Sequence, residues 1–101
     1  MSLTLTRDGL LERFPHFENA PVELVTSALT SAAARTNDAL FPEVETAETA
    51  AYLRAAITLY RSPFAIKMRL NSPESIMLAV EDLRQIQRTA TMGLRVFGNP
   101  T

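Results

Sequence analysis

The stretch Thr46–Arg61, TAETAAYLRAAITLYR, decides the fold. Ala47, Ala50, Ala51, Leu53, Ala55, Ala56, Ile57, Leu59 and Tyr60 point in nearly every direction on a helical wheel. A helix that is apolar all round needs neighbours on several sides, so this one reads as the central helix of an all-α protein, a small bundle of about four helices. Thr46 is placed to cap its start, Glu48 sits near the positive end of the macrodipole, and Pro63 after Ser62 stops it. Leu53→Asp or Ile57→Asp is expected to unfold such a domain.

On the N-terminal side, Thr6 can cap a short helix over Arg7–Arg13, which Pro15 ends. Asn19, Ala20 and Pro21 open a second helix, with Pro21 in its first turn. Val22, Val25, Leu29, Ala32 and Ala33 recur along it at spacings of three and four, an amphipathic pattern. Thr36–Glu45, with Asn37, Asp38 and Pro42, reads as a connection whose Leu40 and Phe41 plug the edge of the core.

On the C-terminal side, Phe64, Ile66, Met68 and Leu70 alternate with Ala65, Lys67, Arg69 and Asn71. Period-two alternation predicts a short extended segment over 64–70. Its backbone groups need partners. Leu94–Phe97 and Leu3–Leu5 are the candidates within the chain, and otherwise the edge is left to another subunit by β-augmentation. A loop packed on the central helix is the alternative. Ser72, Pro73 and Glu74 start the longest helix, whose stripe runs through Ile76, Ala79, Val80, Leu83, Ile86, Ala90 and Leu94. Gly98 with Pro100 ends it, unless the cost of Gly93 stops it near Met92. Residues 1–101 form a single helical domain in this reading, without repeats or low-complexity segments.

The net charge of −1 hides an asymmetry: residues 1–50 carry three Arg against eight acids, and residues 51–101 carry seven basic residues against three acids. No acid occurs from Thr49 to Pro73, so Arg54, Arg61, Lys67 and Arg69 have no local neutraliser. The acids of the first half are their natural complement, within the chain or across a subunit boundary. Arg84, Arg88 and Arg95 share one side of the last helix and suit a polar interface or a phosphate-facing stripe. Glu81 and Asp82 lie close enough to pair with them, which would make the same face an ordinary solvated one.

Catalytic and metal chemistry find little support. The chain has no cysteine, which excludes disulfides and thiol catalysis, and its single histidine, His16, has no partner for a tetrahedral metal site. His16 therefore reads as a surface or packing residue whose change to Ala leaves stability and assembly alone. Glu43, Glu45 and Glu48 lack the spacing of a calcium loop and suit a solvated helix start. No serine-nucleophile motif and no glycine-rich phosphate loop is present. No catalytic residue, metal ligand or cofactor is expected. The first residues, MSLTLTRDGLLERF, lack a basic leader and a long apolar run, so a soluble protein without a signal peptide is expected.

Over nearly its full length the chain resembles the small head-to-tail connector proteins of tailed bacteriophages and prophages. Arg13, Phe14, Pro15, His16 and Phe17 match an Arg-Phe-Pro-acid-Phe motif before an Ala-rich helix. Ser62, Pro63, Phe64, Arg69 and Leu70 match a Ser-Pro-Phe-Gly-like segment followed by an Arg-Leu pair. His16 stands where an acid is usual, and Ala65 where Gly is usual.

The resemblance implies a non-enzymatic ring subunit beneath the portal, which assembles with itself, the portal protein and a tail-completion protein. It implies DNA passing through the channel without sequence readout, no membrane, and a place in the virion after assembly in the host cytoplasm. The interface candidates are then Phe64, Ile66, Lys67, Met68, Arg69, Leu70, Arg84, Arg88 and Arg95. The charge asymmetry suits heterologous contacts that close into a ring. A small helical regulator that binds DNA or a partner protein is the alternative, and it wants a helix-turn-helix with a basic recognition helix. An enzyme ranks third.

Overall fold

The central helix is buried on nearly all sides because most of its buried side chains are alanine. The computed structural model describes residues 3–36, 41 and 43–98, with side chains as far as residue 89. In it α1 spans Arg7–Arg13, α2 Val22–Arg35, α3 Val44–Tyr60, α4 Pro63–Lys67 and α5 Pro73–Gly98, with a 3-10 turn at Pro15–Phe17. There is no strand among the described residues. The fold is the expected all-α bundle.

On α3, Ala47, Ala50, Ala51, Ala55, Ala56 and Leu59 are completely buried, with Tyr52, Leu53 and Tyr60 nearly so. Its neighbours are chiefly α2 on one side and α5 on the other. Leu10, Phe17, Val25, Ala28, Leu29, Ala32 and Ala79 close the core around it. Phe41 is partly buried, while Leu40 lies outside the described residues.

Caps explain most helix boundaries. The Thr6 hydroxyl accepts from Gly9 N–H at 3.0 Å to open α1, and Ser72 Oγ accepts from Ser75 N–H at 3.1 Å to open α5. Two starts differ from the reading above. Pro21 is the cap residue of α2 and Val22 its first helical residue. α3 begins at Val44 behind Glu43, without a side-chain cap, and Thr46 is already inside the first turn. The acids Glu43 and Glu45 satisfy the positive end of the macrodipole electrostatically, so the helix extends back beyond the hydroxyl.

The extended segment at 64–70 is not formed. Ser62 Oγ accepts from Ala65 N–H at 3.3 Å, Pro63 takes the first helical position, and the chain turns into α4. α4 closes in a Schellman motif: Arg69 N–H donates to Ile66 O at 3.2 Å and Leu70 N–H to Ala65 O at 2.8 Å, with Arg69 left-handed at φ 57°. These local bonds remove the need for any strand partner. Neither candidate partner is a strand: residues 94–97 are helical in backbone, and residues 3–5 precede α1 without pairing. α5 also continues through Gly93 to Gly98, so the stop near Met92 is not observed. One glycine costs about 1 kcal/mol, too little to break a helix with turns on either side.

α5 has 26 residues against 17 in α3. At a rise of about 1.5 Å per residue it is about 39 Å long and outruns α3 by roughly 13 Å. The long axis of the protein, 52 Å against 28 and 19 Å for the others, reflects that excess.

Candidate functional site

The end of α3 where α4 begins carries exposed apolar side chains beside cationic ones. Among residues 64–70 the burial pattern is helical: Ala65 is fully buried, and Phe64 and Leu70 pack partly against the core. Ile66, Lys67, Met68 and Arg69 face solvent, Ile66 at 56% and Met68 at 49% exposure. Two apolar and two cationic side chains thus share one tip. Four of the sequence-predicted interface residues therefore come together as exposed groups, while Phe64 and Leu70 are structural supports.

Arg84 and Arg88 are exposed on α5. Arg84 lies roughly 16 Å along that helix from its start, so the two form a surface separate from the tip. The backbone at Arg95 belongs to α5, and its side chain lies outside the described residues.

The opposite end of α3 has a counterpart that the sequence reading treated as a helix entrance. Glu43, Val44 and Glu45 are all exposed, with Val44 at 64%. The two ends of one helix, about 26 Å apart, thus carry an exposed apolar residue between acids and exposed apolar residues between bases. Met77 and Leu78, also exposed, lie off the apolar stripe of α5. That displacement was the only sequence signal for them.

His16 belongs to an aromatic cluster with Phe14, Phe17 and Tyr60. Its ring stacks on Tyr60 at 21° with centroids 5.4 Å apart, and Nε2 lies 2.7 Å from the Tyr60 hydroxyl. A neutral imidazole protonated on Nδ1 accepts from that hydroxyl. Burial pushes the Tyr60 phenol up, which keeps it a donor, and pushes the His16 imidazole below its usual value. His16 is thus a packing histidine, but one whose bond to the buried Tyr60 gives it more weight than its exposed edge suggests. Beside this cluster an open groove of about 680 Å³ runs between α3 and α5, with Arg13, Phe14, Leu53, Tyr60, Leu78 and Ile86 among its walls.

Family models, curated proteins and solved structures return no match to this chain. The physical reading of its surfaces therefore stands beside the sequence resemblance alone. Among the described residues no helix is long and apolar enough to cross a membrane.

The lowered His16 value has a sign that can be tested. A histidine whose folded pKa is depressed below the unfolded 6.5 binds fewer protons when folded. Its stabilising contribution is complete above about pH 6.5 and is lost as pH falls through the folded value. Melting temperature should therefore drop more for wild type than for His16→Gln between about pH 7.5 and 5. Parallel pH profiles for the two proteins would show that the ring is not desolvated.

Proposed function

We propose that this chain is a non-enzymatic structural subunit of a phage or prophage head-to-tail connector, forming a ring through heterologous contacts between copies. The observation that carries the reading, with the resemblance, is the opposition of the two ends of α3. Glu43, Val44 and Glu45 at one end complement Ile66, Lys67, Met68 and Arg69 at the other in charge, and both offer apolar area. When one end of a copy meets the other end of the next, each subunit keeps an unused patch, and such contacts close into a ring if the rotation permits. Burial of the apolar residues contributes about 25 cal/mol per Å², and the charges select the orientation. The portal and a tail-completion protein are the proposed partners above and below, with DNA passing through the channel.

A helical regulator is supported less. Residues 36–43 separate α2 from α3, which is longer than the tight turn of a helix-turn-helix, and α5 mixes Glu81 and Asp82 with Arg84 and Arg88.

Charge reversal tests the connector reading. Lys67→Glu with Arg69→Glu, or Glu43→Lys with Glu45→Lys, should each abolish ring formation in sedimentation velocity with and without portal. The quadruple variant, which restores complementarity, should recover it. Rings formed by both double variants would reject these ends as the contact, and wild type that neither self-assembles nor binds portal would reject the connector itself. Ile66→Pro, which a strand edge would have recommended, is unsuitable because Ile66 N–H donates to Ser62 O inside the first turn of α4.

A further inference from the structure

We infer that the cleft where α2, α3 and α5 meet is a binding site for a single phosphate-type oxyanion. The cleft holds about 270 Å³ and is lined by Ser31 and Arg35 of α2, Arg54 and Thr58 of α3 with Arg61 just after its end, and Leu83 of α5. Arg54, Thr58 and Arg61 fall at spacings of four and three on one face of α3, and Arg35 comes from the last turn of α2. Three arginines thus line one cleft, and no carboxylate lines it among the described residues.

Convergence of like charges is unfavourable unless a counter-charge enters. Arg54 is the most enclosed of the three, half-buried where Arg35 and Arg61 are exposed. An anion in the cleft would supply the missing counter-charge, with Arg35 and Arg61 closing on it from the exposed side. The Ser31 hydroxyl offers a further donor, whereas Thr58 Oγ1 is already engaged with Arg54 O at 3.1 Å. The volume falls below the roughly 300–1,000 Å³ of pockets for drug-sized ligands, so the cleft fits one oxyanion group rather than a whole nucleotide. Guanidinium forks match the tetrahedral oxygens of phosphate. The group is either a free phosphate or a phosphodiester of a nucleic-acid backbone. The inference is independent of the connector reading, which is decided by assembly.

The test is isothermal titration at low salt with inorganic phosphate, and separately with a duplex of about 20 base pairs in unrelated sequences. The variants are Arg35→Gln with Arg61→Gln, both exposed, and the control Arg84→Gln with Arg88→Gln, which removes equal charge elsewhere. Wild type should bind one probe saturably, the cleft variant at least about tenfold more weakly, and the control within about twofold. Binding of phosphate alone identifies a free anion. Binding of duplex regardless of sequence, with a shallower salt dependence in the cleft variant, identifies the backbone. Sequence-selective duplex binding lost equally in both variants, no saturable binding of either probe, or full binding by a folded cleft variant would overturn the site. Circular dichroism on each variant establishes folding.

Discussion

Leu59→Asp is expected to leave no folded domain. Leu59 is fully buried and is among the largest side chains wholly enclosed in the core. The substitution removes an apolar contact and places a carboxylate where no partner waits, and each part costs several kcal/mol against a total stability of about 5 to 15. Protonation relieves the charge and leaves the cavity. Circular dichroism should show little helix at 25 °C, and a cooperative melt close to that of wild type would mean that α3 is not the centre of the bundle. Leu53 is buried almost as deeply, and Leu53→Asp should behave alike. Ile57 is only partly buried and borders the arginine cleft, so Ile57→Asp should cost less than the sequence pattern alone suggests.

Gly9→Ala should destabilise the protein by about 1 to 3 kcal/mol, the cost of overpacking, even though alanine is the better helix former by about 1. A Cβ at Gly9 would overlap the Tyr52 hydroxyl and lie 2.8 Å from its Cζ. Tyr52 cannot step aside cheaply. It is buried, its hydroxyl accepts from Thr6 N–H at 3.0 Å, and the Arg13 guanidinium sits 4.4 Å above its ring. Displacing the ring therefore costs the cation-π contact and the bond that ties the start of α1 to α3. Tyr52→Phe in the Gly9→Ala background separates the causes: it removes the closest overlap, that with the hydroxyl, so the double variant should be more stable than the sum of the single changes. Strict additivity in urea denaturation would show that the two residues do not touch.

The helices with long periodic faces were legible in the chain, and so was the role of α3, because its pattern is apolar all round. α4 was not, although its start signal is the one that identified α5: Ser62-Pro63 repeats Ser72-Pro73. Five residues are too few to display a helical period, and Phe64, Ile66, Met68 and Leu70 mimic a strand by alternation. The burial of Ala65 beside an exposed Ile66 exposes the mimicry. The tip itself was legible as a set of residues but for the wrong backbone reason. Its acidic counterpart at Glu43–Glu45 was read only as a solvated start, because nothing in one dimension places it opposite Lys67 and Arg69. Arg54 and Arg61 stood out as cations without a local neutraliser, yet Arg35 joins them only through the contact between α2 and α3, which no local pattern encodes.

Among the described residues, ten of the eighteen buried apolar residues are alanine. Each removes little apolar surface from water, and the heat-capacity change of unfolding scales with that surface. The value per residue is therefore expected to lie below the usual 12 to about 15 cal/mol/K in scanning calorimetry, which would flatten the stability curve. A flatter curve means that stability changes less between cold and warm conditions. Any contact that favours the folded form adds to that stability by mass action.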